Sequence, residues 1–181
     1  MKKIIFALSI FLLTGCFLSE DLTNTPTKQV EAMLSKYQTL DEDVIKNIDS
    51  VVNSKDELND KQKEDYKKVL KRQYQNLTYE IKNETIDGEE ALVEIEIEVF
   101  DYKTALDEIE EYRKNNEDKF NNNGAFDNSK FIDYKIEQLD KYKERVKYTL
   151  EIDLNKKDDK WIIDNLSSEE KSKIEGTYDG A

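Results

Sequence analysis

Few side chains in this sequence could carry out covalent or metal chemistry. It contains no histidine and a single cysteine, Cys16. Without histidine, Ser–His and Cys–His nucleophiles and imidazole-ligated metals are excluded. The sequence also lacks the G-x-S-x-G, P-loop and G-x-G-x-x-G motifs. The composition therefore argues against the common classes of enzyme, and we predict no cofactor and no metal.

Three weaker candidates for chemistry have simpler explanations. Ser168 and Lys171 have the S-x-x-K spacing of some acyl-enzymes, but the companion S-D-N and K-T-G motifs are absent. Glu94, Glu96 and Glu98 alternate along one segment, and carboxylates spread along a strand do not converge on a metal. The segment around Gly124 lacks the carboxylates that an EF-hand requires. We therefore expect Ser168 and Lys171 to lie in a helix-capping turn and the three glutamates to face water from a strand. The segment around Gly124 is expected to be a mobile loop.

The cysteine stands at the end of a short apolar segment. Met1-Lys2-Lys3 is basic, Ile4 to Leu13 is almost entirely apolar, and Leu13-Thr14-Gly15-Cys16 follows. As a helix the apolar run rises about 15 Å, too little to cross a bilayer but typical of a secretory signal. This segment resembles the lipobox of bacterial lipoproteins. The alternative is an ordinary signal peptide with an unrelated cysteine.

The lipobox resemblance implies an anchor and a location. Cys16 would carry a diacylglycerol, become the first mature residue and hold the chain on the outer face of the bacterial cell membrane. The lipid bilayer would then be a partner through the acyl anchor, and two acyl chains suffice for stable attachment. The net charge of −13 repels nucleic acid, so we predict no nucleic-acid partner.

Three helices are expected after the anchor, each with its own N-terminal signal. The Thr25-Pro26 pair suits a cap and a first helical position. Thr39 with Glu42 fits a capping box, and so does Asn59 with Gln62. Apolar residues at helical spacing follow each signal.

The apolar period then changes, which predicts strands. Asp87-Gly88 is a hairpin signal, and Ser167 with Glu170 forms a capping box before a brief last helix. A helical period occupies residues 103–145, and residues 177–181 are expected to fray. Alternating apolar residues mark three strands, at 77–81, 93–99 and 146–154, and a short fourth strand is marked by Trp161, Ile162, Ile163 and Leu166.

This order predicts an α+β fold, with N-terminal helices packed on a curved antiparallel sheet of about four strands. A helical hairpin, about residues 103–145, would be inserted between the two strand pairs. The Thr25-Pro26 helix start, the strand pair around Asp87-Gly88 and the closing Lys160-Trp161-Ile162-Ile163-Asp164 make this region resemble small cystatin-like lipoproteins of Gram-positive bacteria. The resemblance implies their cone fold, shared with nuclear transport factor two, and no particular activity.

The resulting domain boundaries divide the chain into four parts. They are a signal peptide at 1–15, a lipidated tether at 16–25, the cystatin-like domain at 26–166 and a short C-terminal helix and tail at 167–181.

The sequence supports two classes of function. The first is a non-catalytic extracytoplasmic module that binds a small ligand or an envelope protein, since cone folds often leave a pocket between sheet and helices. Four aromatic residues could line that pocket or simply belong to the core: Tyr79, Tyr102, Tyr148 and Trp161. The second class is an enzyme that uses carboxylates to act on cell-envelope glycans. We favour the first class, because no pair of acids stands out.

Overall fold

The predicted α+β architecture is confirmed. In the computed structural model, which describes residues 24–180, six α-helices pack with a four-stranded antiparallel sheet. A short 3₁₀ helix is also present at Glu117–Phe120. The elements are α1 (Pro26–Thr39), α2 (Glu42–Asn53), α3 (Asp60–Gln75), β1 (Thr78–Asp87), β2 (Glu90–Phe100), α4 (Tyr102–Asn115), β3 (Asn121–Asn122), β4 (Ala125–Phe126), α5 (Asn128–Lys141), β5 (Arg145–Lys157), β6 (Lys160–Ile163) and α6 (Ser168–Glu175).

The main sheet has the strand order β1-β2-β5-β6, with every neighbouring pair antiparallel. Along β2 the side chains alternate between two environments, as strand geometry requires. Val93, Ile95, Ile97 and Val99 are fully buried against the helices. The three glutamates between them lie on the opposite face, where Lys147 contacts Glu96 at 2.7 Å. The predicted water-facing arrangement of these glutamates is confirmed.

Two hydrophobic cores share α3. The main core lies between the sheet and α1, α2, α3 and α6, and includes Leu34, Ile48 and Ile174. A second core joins α3 to α4, α5 and the 3₁₀ helix, with Phe120 and Phe131 among its buried residues. The inserted helices therefore pack against α3, beyond the end of the sheet. Within residues 24–180, no helix is both long and apolar enough to cross a bilayer.

Most of the predicted helix starts are confirmed, and one is wrong. Thr25 caps α1, and complete capping boxes open α3 and α6. Thr39, however, is the last residue of α1 rather than the cap of α2. Leu40 takes a left-handed conformation with φ of 54°, so that Asp41 becomes the cap and accepts a hydrogen bond from the Asp43 N–H. Leu40 packs against the main core, which compensates for this strained conformation.

Two other expectations need correction. The segment 115–128, expected to be a loop, contains the 3₁₀ helix and the small β3–β4 hairpin, because Phe120 is drawn into the second core. The tail after α6 does not simply fray. Tyr178 packs edge-on against Tyr148, with 5.7 Å between ring centroids, and Asp179 lies 3.4 Å from the Lys103 ammonium.

Candidate ligand-binding groove

A groove opens where α3, α4 and α5 meet, at the end of the sheet that carries Phe100. Its volume is about 510 Å³, within the range of about 300–1,000 Å³ typical of small-molecule sites. Apolar side chains from three helices form most of the lining, among them Leu70, Tyr102, Leu106, Ile132 and Leu139. The groove is therefore suited to a ligand whose body is mainly apolar.

A buried glutamine fixes the distance between two walls of the groove. Gln62 on α3 is 1% exposed. Its amide donates hydrogen bonds to the Ser129 carbonyl and the Asp133 carboxylate on α5, each at 3.0 Å. Its carbonyl oxygen accepts from the Asn59 N–H in the capping box of α3. One side chain thus satisfies the start of α3 and ties α3 to α5.

An arginine ties α3 to α4 and to the residue that follows α5. Arg72 on α3 stacks on the Phe100 ring, 3.8 Å from its centroid, and donates to the Tyr142 carbonyl at 2.6 Å. It also donates to the Tyr102 hydroxyl at 3.3 Å. Burial raises the pKa of Tyr102 to about 12, although Arg72 opposes the rise. Tyr102 therefore stays neutral over the physiological pH range.

The C-terminal end of α6 is held by its contact with the end of β2. Gln73 exchanges two hydrogen bonds with the Phe100 backbone, each at 3.0 Å. Gly176, with φ of 70°, lies directly against this pair. The Lys103 N–H donates to the Gly176 carbonyl at 2.8 Å, which anchors the start of α4 to the same point. These contacts position Glu175 on the wall of the groove.

Glu175 is a half-buried carboxylate that no neighbour neutralises. Among residues 24–180 no side chain hydrogen-bonds to it, and none forms an ion pair with it. Burial raises the pKa of Glu175, and the Lys55 and Lys171 charges only partly oppose the rise. It is also the last residue of α6, at the negative end of the helix dipole. Glu175 therefore contributes a half-buried negative charge to the wall of the groove.

The cations that line the groove lie near aromatic rings, and Arg113 also forms an ion pair. Lys55 lies over the Tyr66 ring, 5.7 Å from the ring centroid, and Lys135 lies 5.0 Å from that of Phe131. Arg113 pairs with Glu110 at 2.8 Å and also faces the Phe131 ring. Their positive charges are thus directed to aromatic faces and to a carboxylate.

The four aromatic residues predicted to line a pocket do not surround one cavity. Tyr79 and Tyr148 flank Ile97 on the helix-facing side of the sheet, where both are partly buried in the main core. Trp161, on β6, pairs with Lys156, which lies eight residues along β5 from Tyr148. Trp161 is therefore about 27 Å from Tyr148. Tyr102 lines the groove. Ligand contacts by these residues stay a prediction.

Sequence reasoning missed Glu175, Tyr66, Phe131 and Arg113 as groove residues. Only Glu175 had a signal in the sequence. An acid in the last turn of a helix is unfavourable, because it lies at the negative end of the helix dipole, and such an exception is typical of functional sites. The other three have spacings that an ordinary core helix would also show. The predicted lipidation residue, Cys16, lies outside the described residues. Within residues 24–180, no group of three or more acidic or sulfur ligands could hold a metal ion.

Comparison with known proteins finds a solved structure with a similar fold. No family model and no curated protein matches the sequence. The fold is similar to that of a "putative lipoprotein (ycdA)" from Bacillus subtilis, with a TM-score of 0.46 and 17% identity. The similarity covers 76% of this chain and 46% of that one, so this chain spans about half the length of its neighbour.

Proposed function

We propose that this chain is a lipid-anchored extracytoplasmic lipoprotein that binds a small, mainly apolar ligand without chemically changing it. The observation that supports binding is the groove of about 510 Å³, formed by side chains of three helices that are tied together by Gln62 and Arg72. Preformed apolar sites with a few polar groups are typical of small-molecule binding.

The anchor in this proposal rests on the sequence. The segment from Met1 to Cys16 has the basic start, the apolar run and the Leu13-Thr14-Gly15-Cys16 ending of a lipoprotein signal. Residues 1–15 would be removed, and residues 16–25 would serve as the tether to the outer face of the membrane. We expect Cys16→Ala to move the protein from the detergent phase to the aqueous phase in a phase-partition experiment. A variant that stays in the detergent phase would contradict the lipid anchor.

The composition of the groove favours binding over action on glycans. A glycan-cleaving site needs two carboxylates facing each other across a polar cleft. Here the lining is mainly apolar, and Glu110 is already paired with Arg113. Glu57, the third acid of the lining, is exposed, so within residues 24–180 the groove offers Glu175 no second half-buried, unpaired carboxylate with which to form an acid–nucleophile pair.

Native mass spectrometry tests the binding proposal directly. The mature protein from its host membrane should carry a reproducible extra mass when it is transferred to the gas phase. Leu106→Trp fills the groove with a larger side chain from α4, and we expect this variant to lose the extra mass. Ile162→Trp is the control, because Ile162 is 46% exposed and lies on β6, away from the groove. An extra mass that persists in Leu106→Trp would contradict binding in the groove.

A further inference from the structure

The groove is elongated, because its lining follows α4 and α5 over most of their length. The lining runs from Tyr102 to Arg113 on α4 and from Asn128 to Leu139 on α5. The two helices are antiparallel, with the Arg113 guanidinium near the end of α4 lying 5.6 Å from the Phe131 ring centroid near the start of α5. At the other end, Arg72 donates to the Tyr102 hydroxyl and to the Leu139 carbonyl, each at 3.3 Å. Each lined stretch advances about 16 Å, at about 1.5 Å per residue, and this is the length of the groove.

The walls of the groove meet at one end. The Tyr102 side chain crosses from α4 to α3, where its hydroxyl donates to the Val69 carbonyl at 3.4 Å. Tyr102 and Leu139 are both buried there, whereas Phe126 at the far end of the groove is 48% exposed. The groove is therefore closed near Tyr102 and opens toward Phe126.

The groove is also narrow. Averaged over a length of about 16 Å, its volume of about 510 Å³ gives a cross-section of about 30 Å². A helix with its side chains is at least about 10 Å across and would need about 80 Å². The groove is therefore too narrow to take up a helix of a partner protein.

The side chains between the two ends favour a hydrocarbon over an extended peptide. Leu106 on α4 and Ile132 and Ile136 on α5 line this part of the groove. A peptide would place its backbone N–H and C=O groups against these apolar side chains, where unpaired polar groups are costly, and a hydrocarbon has no such groups. The lining contains acids and lysines alike, so it restricts the shape of a ligand rather than the sign of its charge.

We propose that the groove binds one unbranched alkyl chain of about 12 carbons, with its methyl end near Tyr102 and its head group near Phe126. This inference rests on the proposed function and names its ligand class. Each carbon of an all-trans chain advances about 1.3 Å, so about 12 carbons match the length of about 16 Å. The head group then lies at the exposed end of the groove, where water solvates it.

A series of uncharged alcohols tests the length of the chain. Radiolabelled 1-octanol, 1-decanol, 1-dodecanol, 1-tetradecanol and 1-hexadecanol are equilibrated by dialysis with the whole chain from Cys16 onward, carrying Cys16→Ser so that no detergent is needed. We expect the affinity to rise up to about fourfold for each added CH₂ as far as 1-dodecanol, because each CH₂ is buried. Longer alcohols should bind within about twofold of 1-dodecanol, because their extra carbons stay in water.

A variant at the closed end should move this limit. Leu139→Ala removes a side chain from the lining and leaves room for about two more carbons, so the affinity should still rise at 1-tetradecanol. Ile109→Ala is the matched control, because Ile109 is as buried as Leu139 but lies outside the lining of the groove. Its limit should stay at 1-dodecanol.

The outcomes separate the length of the chain from the groove itself. If the affinity stops rising at 1-octanol or still rises at 1-hexadecanol, or if both alanine variants move the limit equally, the inference is wrong while the groove remains a binding site. If none of the alcohols binds, or if Leu106→Trp binds them all unchanged, both the inference and the proposed function fail. Circular dichroism shows whether each variant is folded, and the series on the parent chain decides the inference if Leu139→Ala is not.

Discussion

Gly176 and Glu175 are adjacent, and each is constrained by a different part of the fold. Gly176 ends α6 in a left-handed conformation against the end of β2. Glu175 faces the groove from the last turn of the same helix. The backbone contact of the glycine thus decides where the carboxylate lies.

Gly176→Ala should destabilise the protein by ~2 kcal/mol or more. A Cβ atom at this position would lie 2.0 Å from the Phe100 carbonyl oxygen and 2.4 Å from the Gln73 amide nitrogen, in addition to the left-handed strain. Gly124→Ala is the control, because Gly124 also has a positive φ but no atom lies within 4 Å of its Cβ position. Urea denaturation should give the control a loss of only ~1 kcal/mol. Equal losses would mean that the contact with Phe100 does not matter.

Glu175→Gln should change stability in a pH-dependent way. A raised pKa means that the folded state binds the proton more tightly than the unfolded state, so the contribution of Glu175 falls as pH rises through its folded pKa. Gln cannot titrate. We therefore expect the variant to have a higher Tm than the parent at pH 7, with a difference that narrows toward pH 4.

This pH prediction depends on all the groups that face Glu175. The positive charges of Lys55 and Lys171 oppose the rise in its pKa. Tyr37 on α1 and Tyr66 and Tyr74 on α3 have pKa values that burial raises, and the negative charge of Glu175 raises them further. They are therefore neutral between pH 4 and pH 7. A Tm difference that widens toward low pH would contradict the assigned direction.

At the scale of elements, the groove depends on how α3 meets the inserted helices. α3 belongs to both cores and carries three polar side chains that reach its neighbours: Gln62, Arg72 and Gln73. Gln62 reaches α5, Arg72 reaches Tyr142 directly after α5, and Gln73 reaches the end of β2. The insert is therefore positioned by specific hydrogen bonds as well as by apolar packing.

Gln62→Leu should destabilise the protein by ~1–3 kcal/mol. Leucine is of similar size, but it leaves the Asn59 N–H and the Ser129 and Asp133 oxygens without the hydrogen bonds that the glutamine provides. Gln75→Leu at the exposed end of the same helix is the control and should change stability by less than ~0.5 kcal/mol. Thermal denaturation followed by circular dichroism compares the two. Similar effects would show that the buried hydrogen bonds add nothing.

At the scale of the whole molecule, the chain enters the domain far from the groove. The Asn24 side chain accepts from the Trp161 N–H at 3.1 Å and donates to the Asp159 carbonyl at 2.6 Å. These residues lie by the β5–β6 turn, at the opposite end of the sheet from Phe100. β2 alone, with 11 residues, separates the two ends by about 34 Å. A membrane anchor at Cys16 would thus place the groove on the side that faces away from the bilayer.

A fluorophore experiment tests this orientation. Cys16 is the only cysteine and would be acylated, so a second cysteine could be labelled selectively. On vesicles that carry a quencher in their lipid headgroups, we expect strong quenching of a label at Asp159→Cys and weak quenching at Phe126→Cys. Asp159 lies beside the entry of the chain, and Phe126 lines the groove. Equal quenching at both sites would mean that the domain lies flat on the membrane.

Local sequence pattern was enough to predict the six α-helices and the four strands of the main sheet in their observed order. The alternation of Val93, Ile95, Ile97 and Val99 and the capping boxes at Asn59 and Ser167 depend on residues only two or three positions apart, so local pattern was sufficient. The same local reasoning failed at Thr39, because the turn between α1 and α2 is set by Leu40 packing into the main core.

Only the tertiary structure decided where a ligand could bind. The register of the sheet separates the aromatic residues chosen from sequence. Tyr148 lies near one end of β5, Trp161 on β6 lies beside the other end, and of the four only Tyr102 lines the groove. The groove joins residues between Lys55 and Thr177 that no sequence spacing relates. The charge of Glu175 became informative only once burial and the absence of a partner within residues 24–180 were known. Desolvation and pairing depend on three-dimensional neighbours, and a single sequence does not specify those neighbours.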